Sequence, residues 1–227
     1  MAERYTQVPR STLWLLPEGD LTIGDGAGAA DPPFEAETRP IYIGKSVVSN
    51  VQYEAFDPGH ARSELSPGDD HPATMVSFRD AVAYCEWYSQ LSKKSFRLPT
   101  EIEWEHACRA ETTTRFPFGD DPDGHERQVW AAENSDGTAH PIESLKANPF
   151  GLHDLLGNVF EWTSSLFRPY PVTDEEGDRD DLGLVGPRAV RGGSFRTSID
   201  ELGSSRRWRE EEDVRRDDVG FRIVRYL

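Results

Sequence analysis

Apolar residues near the start of the chain fall in short runs separated by turn-forming residues. A run at 13–16 (LWLL) is followed by Pro, Glu, Gly and Asp at 17–20, after which Leu, Thr and Ile resume at 21–23. Two apolar runs joined by such a turn predict a β-hairpin. The Gly-, Ala-, Pro- and Asp-rich stretch at 24–34 then reads as a loop.

Further along, the spacing of apolar residues changes from strand-like to helix-like. Ile41 and Ile43 alternate with a tyrosine between them, and we expect a strand within 39–48. The next residues, 49–56, predict a short helix. A polar segment at 57–72 shows no period and is expected to be a loop.

Two segments carry the clearest helical signal, at 77–92 and 100–109. In each, apolar residues recur at helical spacing. Each also begins with a hydroxyl residue followed three positions later by an acid, the capping-box pattern that satisfies free amides at a helix start. The two boxes pair Ser77 with Asp80 and Thr100 with Glu103.

The stretch 150–164 interleaves apolar, acidic and glycine positions more closely than an ordinary helix or strand does. Leu152, Leu155 and Leu156 are spaced as in a single helical turn, and Gly157 is the residue that such a turn favours at its left-handed exit. We therefore predict one helical turn here, followed by a strand. We expect this stretch to organise the domain.

In the predicted strand, Phe160 and Trp162 lie on one face and Glu161 on the other, because side chains alternate. Together with Asp154 and the carbonyls of the preceding turn, Glu161 could form an oxygen-rich pocket suited to a hard cation such as calcium. The alternative is a capped turn with a solvated Glu161. The residues alone leave both interpretations open.

Composition limits the fold class. The chain has 227 residues, of which 36% are hydrophobic, and it contains six Trp, sixteen Pro and nineteen Gly. It is long enough for one sizeable core, but it offers few long periodic segments. These numbers favour a single loop-rich α+β domain, which we place at 12–227 after a short N-terminal tail at 1–11.

The net charge of −16 narrows the choice of partners. An acidic protein is repelled by nucleic acids and anionic membranes, so we expect neither as a partner, whereas a cation is easier to accommodate. Residues 1–10 are polar and lack the apolar run of a signal peptide, and no segment approaches a membrane-spanning length. A cytoplasmic location is the expectation.

Four segments carry a resemblance to a known family. They are 97–105 (RLPTEIEWE), 157–162 (GNVFEW), 190–195 (VRGGSF) and 219–222 (VGFR). In order and spacing they resemble the motifs of the formylglycine-generating enzyme, or sulfatase-modifying factor, family. The resemblance covers roughly 12–226 and implies a variant C-type-lectin fold with much irregular structure.

The resemblance also implies calcium sites. Family members bind calcium through positions that match the Asp154 side chain, the Gly157 and Val159 carbonyls and the Glu161 side chain. A second family site would fall near Asn134, Glu143 and Leu145, although the loop spacing departs there. On this view, replacing Glu161 by alanine should destabilise the calcium-bound form and leave the calcium-free form nearly unchanged.

The family's enzymes hold copper with two cysteines, about three and eight residues after the serine of the Gly-Gly-Ser motif. In this chain those positions fall near Thr197 and Leu202. The only cysteines are Cys85 and Cys108, so nothing later in the chain could supply a thiolate. Copper(I) prefers soft sulfur ligands, and we therefore do not expect copper as a cofactor.

Cys85 and Cys108 match positions at which secreted relatives form disulfides to C-terminal cysteines. Those partners are absent, because Ile223 stands in one region and Ser204, with its neighbours, in the other. We expect two free thiols, as in a reducing compartment, although pairing of the two cysteines with each other stays open.

The segment 194–218 interleaves arginines with acids around one tryptophan. In relatives this stretch lines the ligand cleft, and Trp and Arg are common at interfaces. The candidate ligand residues are Ser194, Arg196, Thr197, Arg206 and Trp208. The alternative is a solvated, salt-bridged loop. The acid-rich run at 174–181 is expected to be a flexible loop.

Two classes of function stay open. The first is a binding module that keeps the fold and its calcium but has lost the copper chemistry, and that recognises an unknown protein or small molecule. The second is an oxidoreductase of the same superfamily with another metal site or a partner subunit. The iron-dependent sulfoxide synthases of this superfamily use a His-x3-His pair, and none of the six histidines has that spacing.

Overall fold

The computed structural model describes residues 10–25, 32–171 and 183–227. Within these ranges the chain forms three α-helices, ten short strands and two 3-10 turns, joined by long irregular segments. The elements are β1 (Leu13–Leu16), β2 (Gly19–Ile23), β3 (Phe34–Thr38), β4 (Ile41–Gly44), α1 (Asn50–Glu54), α2 (Phe78–Ser92), β5 (Phe96–Arg97), α3 (Glu101–Arg109), β6 (Phe160–Leu166), β7 (Arg188–Arg191), β8 (Arg207–Glu210), β9 (Val219–Gly220) and β10 (Val224–Tyr226), with 3-10 turns at His125–Arg127 and Ile199–Glu201.

The strands form three small sheets. One has the order β1-β4-β10-β5 and is antiparallel in each of its pairs. A second consists of β2 and β3 alone. The third has the order β8-β7-β6-β9, in which only the β6–β9 pair is parallel. Because neighbouring strands are distant in sequence, each of the larger sheets connects parts of the chain far from each other.

The N-terminal hairpin predicted from the sequence is wrong, although both of its strands exist. β1 pairs with β4, whereas β2 pairs with β3 in a different sheet. The reason lies in where the strands bury their apolar residues. Leu16 packs in a cluster with Ile41 and Ile43, while Ile23 packs in a separate cluster with Ala36.

The helices predicted by their capping boxes are confirmed. The Ser77 hydroxyl accepts a hydrogen bond from the amide of Asp80, and the Thr100 hydroxyl accepts one from the amide of Glu103, each at 3.2 Å. The short helix and the polar loop at 57–72 are confirmed as well. All nine residues of α3 are buried, including its acids, which is unusual for so polar a helix.

The helical turn predicted around Leu155 does not form, and the backbone there is irregular. The three leucines are nevertheless buried, and they belong to the same apolar cluster as Trp104 and Leu202. A second large cluster lies under α2 and contains Trp162 and Phe221. The spacing of the leucines therefore identified core residues but not their backbone conformation.

The fold agrees with the expected loop-rich α+β class. The acidic run predicted as a flexible loop at 174–181 lies outside the described residues. Among the helices that the structure describes, none has the length and apolar character needed to span a bilayer.

Candidate functional site

The site is built around the turn that leads into β6. Asp154, Gly157 and Asn158 all adopt positive φ, at 58°, 69° and 56°. The amide of Gly157 donates to the carbonyl of Gly192 and the amide of Asn158 donates to that of Trp130, each at 2.8 Å. The turn is thereby fastened to the Gly-Gly-Ser segment on one side and to the 130 region on the other.

Glu161 is buried in β6 and carries an ion pair. Its Oε2 accepts hydrogen bonds from Arg222 Nε at 2.6 Å and from Trp104 Nε1 at 2.9 Å, and its Oε1 accepts one from Arg222 Nη2 at 2.6 Å. The solvated Glu161 considered from the sequence is therefore wrong. Glu161, Trp104 and Arg222 come from three of the four family-like segments, so this contact joins those segments in the core.

Asp154 lies in a different electrostatic setting. Its carboxylate is 6% exposed and accepts a hydrogen bond from the amide of Glu143 at 2.9 Å. Burial raises the pKa of Asp154 to about 6, and the nearby negative charge of Glu161 acts in the same direction. No guanidinium or ammonium group is in hydrogen-bond contact with this carboxylate among the described residues, so its charge is only partly compensated.

These groups fit a calcium ion in part. Calcium binds carboxylate and carbonyl oxygens, and a buried, poorly compensated carboxylate such as Asp154 is stabilised by a cation. None of the backbone hydrogen bonds of the described residues ends on the carbonyl of Gly157 or Val159. Glu161 fits less well, because Arg222 and Trp104 occupy three of its four lone-pair positions and leave only one on Oε1.

The second predicted set of calcium ligands has protein partners of its own. Asn134 closes a local turn, since its Oδ1 accepts from the amide of Ala131 and its Nδ2 donates to a carbonyl. Glu143 pairs with Lys45 at 2.7 Å, and the carbonyl of Leu145 lies 2.9 Å from the Nδ1 of His153. All three positions therefore have protein partners.

The Gly-Gly-Ser segment forms a tight buried turn. The amide of Ser194 donates to the Thr197 hydroxyl at 3.0 Å, and the Ser194 hydroxyl donates to Asp218 Oδ2 at 2.9 Å. Arg216 donates from Nε to the other oxygen of Asp218 at 2.8 Å. The hydroxyls that the sequence offered as ligand groups thus serve first to hold this turn together.

Thr197 and Leu202, near which the resemblance places the family's copper cysteines, are both buried. Leu202 packs in the core beside Trp104, and Thr197 caps the turn. The chain's own thiols lie elsewhere: neither forms a disulfide, both are buried, and they belong to different core clusters. Burial raises the pKa of Cys108 to about 12, so its thiol is protonated and inert at neutral pH.

The structure brings together four of the five predicted ligand residues. Arg196 lies on the same turn as Ser194 and Thr197, and both ends of its guanidinium bind Asp217. Trp208 in β8 packs edge-on against Phe160, whose ring is also covered by the Asp218-bound arginine, Arg216. Arg206 is not connected to this group, since its backbone bonds to Gly203 instead.

Sequence reasoning missed a buried charge network beneath the site. Arg191 donates to Glu101 at 2.9 Å and to Glu105 at 2.5 Å, and Arg207 donates to Glu101 at 2.6 Å. All four side chains are at most 5% exposed in these pairs. The acids lie in the helix that follows the Thr100 capping box, and the sequence analysis assigned them no partner. A signal was present, because Glu101 and Arg191 both lie within the quoted motifs.

Together these features define a loop-rich α+β domain whose motifs meet in one buried core, and the comparisons with known proteins agree. The model of the family described as "Sulfatase-modifying factor enzyme 1-like domain" matches residues 2–227. The chain belongs to this family.

Named relatives include both active and inactive forms. The formylglycine-generating enzyme of Streptomyces coelicolor is 28% identical over 82% of this chain and 80% of its own length. The "Inactive C-alpha-formylglycine-generating enzyme 2" of Bos taurus is 30% identical over 68% of this chain and 50% of its own length. Among solved structures, Treponema denticola variable protein 1 superposes with a TM-score of 0.85 over 96% of this chain and 95% of that chain, at 20% identity.

Proposed function

We propose that this protein is a divergent member of its family that lacks the copper-dependent cysteine oxidation and acts as a binding module. The observation that carries the proposal is the identity and role of the residues at the copper positions. Thr197 holds the Gly-Gly-Ser turn through its hydroxyl, and Leu202 fills the core. Neither can supply a soft ligand, and copper(I) requires soft ligands.

The binding surface that we propose consists of Arg196, Asp217, Arg216 and Trp208 around the Gly-Gly-Ser turn; we call it the turn surface. Arg196 and Arg216 are about two-fifths exposed, and each is paired with an acid. Charged pairs of this kind fix orientation and select partners more than they add affinity. The turn surface therefore suits a partner or ligand that presents both charged groups and an apolar group to Trp208.

The oxidoreductase alternative has no comparable support. Within the part of the chain that the structure describes, no group of three or more His, Cys, Asp or Glu is placed to hold a metal ion. We also infer a reducing compartment such as the cytoplasm. Neither thiol forms a disulfide, both are buried, and the residue beside Cys108 is Ser204 rather than a cysteine.

Calcium is the cofactor that we propose, in a structural role. The residues that would hold it are Asp154 through its side chain, Gly157 and Val159 through their carbonyls, and Glu161 through the free position on Oε1. When bound, the ion would supply positive charge to Asp154. The support for this site is the buried carboxylate, whose raised pKa reports missing compensation.

Affinity capture from cell extract, followed by quantitative mass spectrometry, tests the turn surface. Wild-type protein is compared with Arg196→Ala, which removes a partly exposed guanidinium that pairs with Asp217 and covers the ring of Phe195. Arg225→Ala is the matched control, because this arginine belongs to β10 in another sheet and stacks on Tyr42. We expect a partner retained by wild type and by the control but lost by Arg196→Ala. Equal retention by all three proteins would contradict the proposed surface.

A further inference from the structure

β1 is an edge strand without the usual protection. Natural sheets cover their edges or place charged side chains on them, because an open edge invites pairing with another chain. The opposite edge of this sheet is covered, since the amide of Phe96 in β5 donates to the Ser89 hydroxyl of α2 at 2.7 Å. Among the described edge strands, β1 alone has at least four residues and no charged side chain. Two of its side chains, Trp14 and Leu15, are 47% and 50% exposed.

The hydrogen bonds of the sheet show which groups of β1 are left over. The amide of Lys45 donates to the carbonyl of Thr12 at 2.9 Å, just before β1 begins. Because bonding alternates along an antiparallel strand, every second residue from Thr12 bonds to β4, and the N–H and C=O groups of Leu13 and Leu15 point away from the sheet. No hydrogen bond ends on these four groups among the described residues.

The free groups define one register for a second copy of β1. An antiparallel pair uses all four groups of each strand only if Leu13 of one copy stands opposite Leu15 of the other, which places the two Trp14 residues on the two-fold axis. The ladder cannot extend further, because the amide of Ser11 is bound to a side chain of α2 and Pro17 has no amide hydrogen. Aromatic side chains directly opposite each other stabilise such a pair.

The charges that flank β1 match this register. Counting outwards from Trp14, Arg10 of one copy stands opposite Glu18 of the other, and the symmetry produces this pairing twice. Both side chains are exposed, and neither makes a hydrogen bond or ion pair among the described residues. The net charge of −16 opposes self-association, so two copies meet most readily where their charges are absent or opposite in sign. β1 and its flanks meet that condition.

We propose that two copies of this chain associate through β1, antiparallel about a two-fold axis at Trp14, and so join their sheets into one. An extended peptide of another protein would use the same free groups, but the match between Arg10 and Glu18 is a property of this chain with itself. The interface is much smaller than the roughly 20–30 residues a side of a stable complex. The dimer is therefore weak and forms at high protein concentration.

Analytical ultracentrifugation of the full chain over a wide range of protein concentration tests the proposal, and we expect a monomer–dimer equilibrium. Arg10→Glu and Glu18→Arg each place like charges opposite each other and should weaken the dimer about tenfold, since two pairs are affected. The double variant Arg10→Glu/Glu18→Arg should restore the affinity. Glu211→Arg is the control, because it changes the net charge as Glu18→Arg does but lies at an exposed position after β8. It should not weaken the dimer.

Cysteine cross-linking tests the register. In the proposed pairing the Cα atoms of the two Trp14 residues are about 4.5 Å apart, within reach of a disulfide, whereas those of the two Leu15 residues are roughly 8 Å apart. With oxidised glutathione, Trp14→Cys should form an intermolecular disulfide and Leu15→Cys should not, although the two positions are similarly exposed. Wild type is the control for the native thiols, which are buried.

Melting curves show whether each variant folds. A wild-type chain that stays monomeric at every concentration would overturn the proposal and leave β1 to an extended peptide of another protein. Failure of the double charge variant to recover the affinity lost by the single variants would overturn it as well. So would equal cross-linking at positions 14 and 15. None of these outcomes depends on the turn surface, to which no residue of β1 belongs.

Discussion

Asp154 and Glu161 are two buried carboxylates that the fold treats differently. Arg222 contacts Glu161 with two nitrogens, whereas Asp154 accepts a backbone amide and keeps a raised pKa. At the scale of single residues, one charge is therefore compensated by the protein and the other is not. The calcium proposal rests on this difference.

Glu161→Gln should destabilise the protein strongly even without calcium. From the sequence we expected only the calcium-bound form to lose stability. The ion pair with Arg222 changes that expectation, because it also stabilises the calcium-free protein. Removing one partner of a buried pair leaves the other charge uncompensated and costs about 3–5 kcal/mol. The measurement is urea unfolding in the presence of a chelator. Asp217→Asn, which breaks the exposed pair with Arg196, should cost at most about 1 kcal/mol, and equal losses would contradict the account.

Asp154→Asn should change how stability depends on pH. The pKa of Asp154 rises from an ordinary 3.8 to about 6 on folding, so the folded state holds the proton more tightly. Its contribution is thus fully favourable below about pH 4 and is lost as the pH rises through 6, with a total of about 3 kcal/mol. In chelator, wild type should lose stability relative to Asp154→Asn between pH 4.5 and 7.5. Parallel pH profiles would show that Asp154 is not perturbed.

At the scale of elements, the sequence correctly predicted the features that depend only on neighbouring residues. The capping boxes of Ser77 and Thr100 located α2 and α3, because cap and first turn lie next to each other in the chain. The hairpin failed because pairing of β1 with β4 depends on distant apolar contacts rather than on the turn between β1 and β2. The irregular course of the segment around Leu155 is likewise set by tertiary packing.

Gly157→Ala tests the turn before β6. Gly157 has a φ of 69°, and a Cβ there would lie 2.2 Å from the carbonyl oxygen of Trp130, a backbone atom that cannot move aside. Gly137→Ala is a matched control, since its φ is 73° but nothing lies within 4 Å. Each variant should lose about 1 kcal/mol of stability, because alanine must adopt the left-handed conformation. Gly157→Ala should lose several times more in denaturant unfolding, and similar losses would mean that the turn shifts freely.

At the scale of the whole molecule, motifs far apart in sequence meet in one core. Arg222 from the C-terminus binds Glu161 from β6, which also contacts Trp104 from α3. The order and spacing of the four motifs identified the family and therefore the fold. The buried network of Glu101, Arg191 and Arg207 could not be predicted, because nothing local shows that these charges face inward.

Calcium should raise the melting temperature of the intact protein. At a calcium concentration one hundred times the dissociation constant, linkage adds about 2.7 kcal/mol to the free energy of unfolding, enough for a shift of about 5–11 °C in a chain of this size. Differential scanning calorimetry with calcium and with chelator measures the shift, and Asp154→Asn should abolish it. Identical melting curves of the wild type in the two conditions would contradict the proposed calcium binding.

The proposed loss of copper-dependent cysteine oxidation can be tested directly. The most direct measurement is mass spectrometry of a sulfatase-type Cys-x-Pro-x-Arg peptide after incubation with the protein, oxygen and a thiol reductant, with and without copper(I). We predict an unchanged cysteine in both conditions, because Thr197 and Leu202, near which the resemblance places the copper cysteines, offer no thiolate. Conversion of the cysteine to the aldehyde that persists in Cys85→Ser/Cys108→Ser protein would contradict the claim.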